Sequence, residues 1–390
     1  MSLDFDSARL PNPNLLPEHE EWRTQLRRFI DAEIMPYAED WDEEGHIPIE
    51  LWPKAAAVGL LGLGYPEAFG GTSEGIDVWH HWIANEELAR IGVGGIPASL
   101  MVHGIGLPPV LNWGSQALKE MVAPPVLAGE KHISLGITEP GGGSDVAQLA
   151  TTAVRDGDHY VVNGSKTYIT GGLRANWVST AVRTGGEGAG GVSMLLIPTD
   201  AEGFSRTPLD KKQGWWASDT ATLYFDNVRV PVANLLGEEN KGFIVIMTNF
   251  NSERMFMAAA MEALGRVCRE EAVIWARERK TFGKRLADHQ VIRHKIAQMK
   301  QKLNATQAYI RICYESIEAG NPNPGDIALL KVQASETMEF CAREAMQILG
   351  GIGYMRGNRV ERIYREVRVN AIGGGSEEIM RDLAARQYRL

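Results

Sequence analysis

The hydrophobic pattern of the chain changes period twice, and this constrains the fold more than any other feature. Residues 18–130 place apolar side chains mainly at helical spacing, those from about Ile133 alternate as strands do, and helical spacing returns after Gly242. No helical crossover interrupts the strand-like runs, which favours antiparallel pairing. The sequence therefore predicts a mainly α protein with a β domain: a helical domain over residues 1–131, a middle antiparallel β domain over 132–237 and a helical bundle over 238–390.

Long helices account for most of both helical domains. Their ends carry the usual signals, because Pro36 closes the first helix while Gly320 and Gly350-Gly351 follow two of the C-terminal ones. The predicted helices cover residues 18–37, 51–61, 79–91, 253–280, 288–319, 326–349, 359–368 and 376–389, with another short one ending near Gly129.

The strongest turn signal of the β domain is Asn163-Gly164. This pair readily adopts the two positive-φ positions of a type I′ turn, and β-rich arms flank it over residues 160–170. We therefore expect a β-hairpin there, with a second tight turn at Asp156-Gly157. Further strands are predicted over residues 177–182, 192–197 and 221–230.

Charge and composition argue against several classes of protein. The net charge of −9, from 40 Lys and Arg against 49 Asp and Glu, speaks against nucleic-acid binding. The chain has no run of apolar residues long enough to span a membrane, and its acidic N-terminal region is unlike a transit peptide, so we expect a cytoplasmic protein. Cys268, Cys313 and Cys341 lack CxxC spacing, which argues against a disulfide framework and a zinc site.

Several common catalytic and nucleotide-binding motifs are missing from the sequence. It has no GxGxxG after a strand in a βαβ unit, no GxxxxGK[ST], no HExxH and no GxSxG. A nicotinamide-binding Rossmann domain and a P-loop are therefore not expected. His80-His81 has no ligand spacing around it, so we expect no metal site.

Four polar, glycine-rich clusters remain, each at a boundary between predicted elements. Glycines allow backbone N–H groups to approach a ligand closely, and hydroxyls can bond carbonyl or ring-nitrogen atoms. A turn or a helix cap explains any single cluster at least as well, but their joint occurrence in this order is specific. The clusters are residues 136–145, 168–170, 278–284 with His289-Gln290, and 347–354 with 361–365 and 373–379.

In these clusters and their order, the chain resembles the acyl-CoA dehydrogenase family over nearly its whole length. The resemblance implies an N-terminal helical domain, a barrel-like middle β domain and a C-terminal four-helix bundle, assembled as a homotetramer or dimer of dimers. It also implies bound FAD, an acyl-CoA substrate and an electron-transfer flavoprotein as the partner that accepts the electrons, as in the β-oxidation of fatty acids.

The resemblance assigns ligand-binding residues as well. The flavin ring would lie against the β domain, while residues 279–281 and 347–351 would hold the rest of FAD in trans, from a neighbouring subunit. The expected cofactor-binding residues are Leu135, Ile137, Thr138, Gly143, Ser144, Tyr168, Ile169, Thr170, Arg279, Thr281, Phe282, His289, Gln290, Gln347, Leu349, Gly350, Gly351, Ser376 and Glu378. The expected substrate-binding residues are Ser144, Asn251, Arg254, Gly374 and Gly375.

The catalytic base is where this chain departs from much of the family. Many members carry a glutamate in a Tyr-Glu-Gly context before the last helix, where this chain has Gly373-Gly374-Gly375. A branch resembling long-chain and isovaleryl-CoA dehydrogenases supplies the glutamate from the first bundle helix, in a Glu-Arg pair. Glu253-Arg254 matches that pair, so the resemblance identifies Glu253 as the catalytic base. Taken alone, Glu253 is better explained as a first-turn residue that favours the helix dipole, after Asn251-Ser252 as caps.

The implied reaction is the α,β-dehydrogenation of an acyl-CoA thioester to the trans-2-enoyl-CoA. Glu253 would remove the α-proton, hydrogen bonds to the thioester carbonyl would stabilise the developing enolate, and flavin N5 would accept the β-hydride. Two alternatives stay open: an acyl-CoA oxidase or flavin monooxygenase on the same fold, and a non-catalytic scaffold that binds flavin or acyl-CoA. The resemblance places the base on the bundle helix as in long-chain and branched-chain members, which favours an acyl group of that kind.

Overall fold

A computed structural model describes residues 4–390, which divide into two units. The helical unit contains the described residues up to Glu39 together with Asp77–Gly94 and Arg254–Leu390. The sheet unit contains Asp40–Ile76 and Gly95–Glu253. The domain boundaries that the sequence predicts, at 131/132 and 237/238, stay predictions.

Thirteen α-helices lie within residues 4–390, and the long ones that the sequence predicts are all present. Two short helices, over residues 103–106 and 108–113, fall in the Gly- and Pro-rich stretch that the sequence predicts as a connection. The helices are α1 (Pro17–Glu33), α2 (Ala38–Glu44), α3 (Leu51–Ala57), α4 (Val78–Arg90), α5 (Gly95–Leu100), α6 (His103–Gly106), α7 (Pro108–Trp113), α8 (Gln116–Leu127), α9 (Gly242–Glu278), α10 (Gln290–Glu318), α11 (Pro324–Leu349), α12 (Arg359–Ile372) and α13 (Glu377–Gln387). None of these helices is both long and apolar enough to cross a membrane.

One seven-stranded sheet forms the core of the sheet unit. Its strands are β1 (Ile133–Gly136), β2 (Thr152–Asp156), β3 (His159–Thr170), β4 (Trp177–Arg183), β5 (Val192–Pro198), β6 (Phe204–Pro208) and β7 (Thr220–Pro231). They pair in the order β1-β4-β2-β3-β7-β6, with β5 on β4. Pairing is antiparallel as predicted, except that β4 pairs parallel with β1 and, at one residue, with β2. The helical unit has one small hairpin, β8 (Lys280–Thr281) and β9 (Lys284–Arg285).

The hairpin predicted at Asn163-Gly164 is wrong. Strand β3 runs through this pair and stays paired with β7, where an extra residue on β7 shifts the register between Val162 and Gly164. The Asn163 side-chain oxygen accepts from the backbone N–H of Asn227 at 2.9 Å, opposite this bulge. Gly164 has a φ of +144°, and a Cβ there would lie 2.6 Å from Thr151 Oγ1, so close packing explains the glycine. The turn at Asp156-Gly157 is confirmed and joins β2 to β3.

Helix α9 begins eleven residues before the predicted start at Glu253, so that start is wrong. The added turns bury Val245 and Ile246 in the core of the sheet unit, against a cluster that includes Leu196 and Leu236. This packing outweighs the weak helix propensity of a stretch rich in Ile, Val, Thr and Asn. Glu253 therefore lies well inside a helix rather than in its first turn, and capping with the helix dipole no longer accounts for it.

A buried cluster of charges ties the helices of the helical unit together. The fully buried Arg266 of α9 donates to Glu86 of α4, and its Nε donates to Glu262 at 3.0 Å. Glu86 also accepts from Arg23 of α1 at 2.7 Å, and Glu262 accepts from Gln307 of α10 at 2.7 Å. Although burial opposes ionisation of Glu86, the neighbouring arginines, Arg266 first, lower its pKa to about 2. Four helices thus share one network of buried charges.

We predict that Arg266→Met destabilises the protein strongly, by about 3–5 kcal/mol, because Glu86 and Glu262 would lose a buried cation. Arg386→Met is the matched control: this side chain is 76% exposed and pairs with Asp382 at 2.7 Å. Loss of such an exposed pair should cost less than about 1 kcal/mol. Urea unfolding followed by circular dichroism compares the two variants, and equal shifts of the midpoint would contradict the role assigned to Arg266.

Candidate active site

In the sheet unit, the predicted flavin-binding loop follows β1. Glu139 and Gly142 exchange two backbone hydrogen bonds of 3.1 Å, which close a tight turn with Pro140 at its second position. A Cβ on Gly143 would lie 3.2 Å from the Thr138 methyl group, whereas a Cβ on Gly142 would meet no atom within 4 Å. The backbone of this turn is therefore open for close approach by a ligand.

The loop is joined to the end of β3 by hydrogen bonds. The backbone N–H of Thr167 donates to the Thr138 carbonyl at 2.8 Å. The Lys166 ammonium, which is fully buried, donates to the Ile137 carbonyl at 3.1 Å and to Glu139 Oε1 at 2.7 Å. The structure thus brings together two segments, 135–144 and 168–170, that the sequence could only place separately in the β domain.

A second irregularity of β3 turns the predicted flavin contact Tyr168 outward. Strand β3 gains a residue relative to β7 between Lys166 and Ile169. Tyr168 has a φ of +60° and is 70% exposed, while Ile169 is buried in its place. Bulges of this kind often redirect a side chain beside an active site.

The remaining predicted flavin-binding residues of the sheet unit differ in which of their groups a ligand can reach. Ile137 and Ile169 pack their side chains into the apolar core, so only their backbones are available to a ligand. Leu135, Thr138 and Thr170 are half-buried, and Gly143 and Ser144 are exposed. Hydroxyl groups and open backbone therefore dominate this surface.

In the helical unit, the β8–β9 hairpin carries another predicted group. Its two turn residues, Phe282 and Gly283, both have positive φ, as in a type I′ turn. Phe282 is 96% exposed, and its ring lies 6.3 Å from that of His289. Thr281 Oγ1 lies 3.3 Å from His289 Nε2. Arg279 and Gln290, at the two ends of this segment, are exposed.

Two further predicted groups lie at helix ends. Gln347 is exposed at the end of α11, Leu349 is buried in the core, and a Cβ on Gly350 or Gly351 would meet no atom within 4 Å. Ser376 caps α13, with Oγ accepting from the Ile379 N–H at 3.4 Å. Glu378, in the first turn of α13, is exposed and has a pKa below its usual range because backbone and Ser376 hydrogen bonds favour its ionised form.

Two buried cations hold the glycine segment before α13, residues 373–375. Arg254 Nε donates to the Gly374 carbonyl at 3.2 Å. Lys331, fully buried in α11, donates to the carbonyls of Ala371 and Gly375 at 2.9 and 2.8 Å. No sequence signal singles out Lys331, since only the packing of α11 on this segment brings the ammonium to the carbonyls. The CoA contact predicted for Arg254 stays a prediction.

Glu253, the predicted base, is half-buried on α9, as is the predicted substrate contact Asn251. Because α9 is continuous from Gly242, both residues belong to a regular helix rather than to its cap. A carboxylate on a long helix has a well-defined position, which suits a general base.

His19, Asp77 and His80 form a cluster with metal-ligand composition that the sequence did not predict. His19 Nδ1 accepts the Leu16 N–H at 2.8 Å, so its proton is on Nε2, which faces Asp77 at 3.0 Å. A metal-bound His normally donates its second ring N–H outward. Asp77 also caps α4 by accepting from the N–H groups of Trp79 and His80. The hydrogen-bond directions therefore favour a helix cap over a metal site.

The residues of both units fit FAD in their chemistry. In the sheet unit, the open backbone of Gly142 and the hydroxyl of Thr138 match the polar edge of a flavin ring. In the helical unit, the exposed Arg279 is a suitable cation for a pyrophosphate, and the open Gly350-Gly351 backbone can approach a nucleoside closely.

Three family profiles match the chain in succession. The acyl-CoA dehydrogenase N-terminal domain matches residues 16–130, the middle domain matches residues 134–228, and the C-terminal domain matches residues 240–388. Their order confirms the predicted fold class, a helical domain followed by a β domain and a second helical domain.

Individual proteins match over nearly the whole chain. The crystal structure of a probable acyl-CoA dehydrogenase from Mycobacterium abscessus has a TM-score of 0.93 and 45% identity, over 96% of this chain and 99% of that one. Acyl-CoA dehydrogenase AFT10-1 of Alternaria alternata is 38% identical over 95% of this chain and 91% of its own length. The mitochondrial long-chain specific acyl-CoA dehydrogenase of Rattus norvegicus is 35% identical over 95% of this chain and 86% of its own. The chain therefore belongs to the acyl-CoA dehydrogenase family, whose members are FAD-dependent oxidoreductases.

Proposed function

We propose that this protein converts an acyl-CoA thioester to the trans-2-enoyl-CoA, with Glu253 as the base that removes the α-proton. The observation that carries the proposal is the combination of a carboxylate on α9 with a segment, residues 373–375, that has no side chains at all. The reaction needs one carboxylate near the α-carbon, and the glycine segment cannot supply it. Glu253 occupies the alternative place used by the branch that this chain resembles.

The interior position of Glu253 in α9 supports this assignment. A glutamate in a first turn would be explained by the helix dipole alone, but Glu253 is eleven residues from the start of the helix. The next residue, Arg254, is buried and holds the Gly374 carbonyl. The residue that follows the proposed base therefore helps to hold the glycine segment in position.

In the proposed mechanism, the residues of this chain bind, orient and move a proton. The Glu253 carboxylate takes the α-proton, and an acyl chain beside it would withdraw the carboxylate from water and favour its protonated form. Backbone N–H groups of the segment around Gly374 and Gly375 are the proposed donors to the thioester carbonyl, where negative charge develops. Bound FAD supplies the two-electron oxidation of the Cα–Cβ bond.

The proposed FAD contacts come partly from the sheet unit and partly from the helical unit. The open loop around Thr138 and the end of β3 would hold the flavin ring, Arg279 and Thr281 the pyrophosphate and ribityl chain, and residues 347–351 the adenosine side. The exposed apolar Phe282 agrees with a contact made in an oligomer, and we propose a homotetramer in which the last two groups act on the neighbouring subunit's cofactor. An electron-transfer flavoprotein is the proposed electron acceptor.

For the substrate, we propose a long-chain or branched-chain acyl-CoA, since members with the base on the first bundle helix resemble long-chain and isovaleryl-CoA dehydrogenases. A panel of acyl-CoA thioesters of different length and branching, scored by anaerobic bleaching of the flavin, tests this. Preference for a short, unbranched acyl group would contradict the proposal.

We predict that Glu253→Gln binds FAD normally but slows anaerobic flavin bleaching by acyl-CoA by about 10²–10⁴-fold, the usual contribution of a general base. Stopped-flow absorbance measures the rate. Glu336→Gln is the matched control, because it makes the same change in an exposed residue whose partner is Arg381. Bleaching of the Glu253 variant at the wild-type rate would show that another group is the base.

We further predict that Gly374→Glu restores part of the activity of the Glu253→Gln protein, because it returns a carboxylate to the place used by many other members. Recovery should be incomplete, since Gly374 has a φ of +66°, and a residue with a Cβ costs roughly 1 kcal/mol there. Gly373→Glu in the same background is the control, because Gly373 has an ordinary φ of −64° but is not the matching position. Equal rates for the two double variants would contradict the relocation of the base.

A further inference from the structure

We propose that Lys166 and Glu139 are a positioning pair that fixes the spacing between the two flavin-binding segments of the sheet unit and thereby sets the affinity for FAD. The proposal rests on the FAD site described above. It concerns residues that need not touch the cofactor, because they act through the backbone of Thr138.

The hydrogen bonds of Lys166 lie on both sides of Thr138. Its ammonium donates to the carbonyl of Ile137 at 3.1 Å and to Glu139 Oε1 at 2.7 Å. The N–H of Thr167, the next residue on β3, donates to the carbonyl of Thr138 itself at 2.8 Å. Three consecutive residues of the loop are therefore held by two consecutive residues of the strand. Because Tyr168 follows directly, the same contacts determine where the two flavin-binding segments lie relative to each other.

Glu139 extends this arrangement to the far end of the loop. Its carboxylate accepts the backbone N–H groups of Ala150 and Thr151 at 2.6 and 2.9 Å. Thr151 in turn packs against Gly164 of β3, where a Cβ would come within 2.6 Å of Thr151 Oγ1. One carboxylate thus closes the whole loop over residues 139–151, and the glycine at the β3 irregularity leaves room for this closure.

A contribution to stability does not by itself explain why these two charged side chains are buried. Lys166 is fully buried and Glu139 is 8% exposed, and burial of two charges costs desolvation energy that an apolar pair of similar size would not incur. The charged group that faces Lys166 is Glu139, while Gly136, Ile137 and Leu223, from the neighbouring strand and loop, are uncharged. Directional bonds to defined oxygen atoms give the loop a single position, which an apolar pair would not.

Burial also makes the pair sensitive to pH. It lowers the pKa of Lys166 to about 8, although the Glu139 carboxylate opposes this shift. Glu139 keeps a pKa below its usual range, because Lys166 and the two backbone N–H groups outweigh its burial. The pair is therefore ionised at neutral pH, and Lys166 loses its proton as the pH rises through about 8.

A rise in pH is expected to have opposite effects on the stability of the protein and on its binding of FAD. An unfolded lysine has a pKa of about 10.4, so between about pH 8 and pH 10 the unfolded chain binds more protons at Lys166 than the folded one. The contribution of Lys166 to the free energy of unfolding therefore rises with pH in this window. In the same pH window Lys166 loses the charge that attracts the Glu139 carboxylate, so the affinity for FAD should fall. If Lys166 only stabilised the fold, the free energy of unfolding and the affinity for FAD would not change in opposite directions with pH.

The test measures the dissociation constant of FAD with the apoprotein, by quenching of flavin fluorescence, at about pH 7 and about pH 9.5. We expect the wild-type protein to bind FAD several-fold more weakly at the higher pH. Lys166→Met should bind about tenfold more weakly already at pH 7, as expected for the loss of a hydrogen bond to a charged group, and should show no pH step. Lys166→Met combined with Glu139→Gln should recover part of the affinity, because no unpaired carboxylate remains.

Lys212→Met is the matched control. Lys212 is a half-buried lysine of the same unit whose ammonium donates to the Trp215 carbonyl at 2.8 Å and to Thr220 Oγ1 at 3.1 Å. Its loss should lower thermal stability and leave the wild-type FAD affinity and pH step unchanged.

Three results would overturn the proposal: no pH step in the wild-type protein, a step of equal size in Lys166→Met, or wild-type affinity in that variant. The first needs no variant, so the proposal stays testable if Lys166→Met fails to fold. The measurement uses no substrate, so it is independent of the role of Glu253. A protein that binds FAD with the expected step but is not reduced by any acyl-CoA would contradict the proposed reaction alone.

Discussion

The helical unit depends on the ion pairs that the buried guanidinium of Arg266 makes. This guanidinium is fully buried in α9 and reaches carboxylates on α4 and on α9 itself, which α1 and α10 also bind. Burying these charges is costly unless every one is paired, so the network is satisfied in few arrangements of the four helices. Lys166 has the corresponding role in the sheet unit, where one buried cation holds a loop against a strand.

The glycine segment before α13 is held by side chains that lie outside it. Residues 373–375 have no side chain to pack or bond, and Gly374 and Gly375 both have positive φ. Their position is instead set from outside, by Arg254 and Lys331, which bind three main-chain carbonyls between Ala371 and Gly375. A segment held in this way leaves its N–H groups available for a ligand, which a segment anchored by its own side chains need not do.

The sequence predicted the long helices and the order of the domains, because periodicity over many residues is a strong signal. It failed where tertiary contacts outweigh local preference. Asn163-Gly164 has the best local turn signal, but the pairing of β3 with β7 continues through it, and a two-residue turn with positive φ forms at Phe282-Gly283, where none was predicted. The start of α9 was missed because its first turns are helical only through packing on the sheet unit. The residues of the candidate site were predicted through the family resemblance and stay predictions, whereas Lys166, Glu139 and Lys331 were not singled out, since a buried charged group has no sequence pattern of its own.

Proton removal by Glu253 is the central claim, and exchange of the α-hydrogen measures that step without the oxidation. The protein, with its FAD reduced beforehand so that no oxidation competes, is incubated with an acyl-CoA in D₂O, and deuterium at the α-carbon is followed by mass spectrometry. We expect the wild-type protein to exchange the α-hydrogen and Glu253→Gln to leave it in place. Exchange at the wild-type rate in the variant would contradict the account, because another group would then be removing the proton.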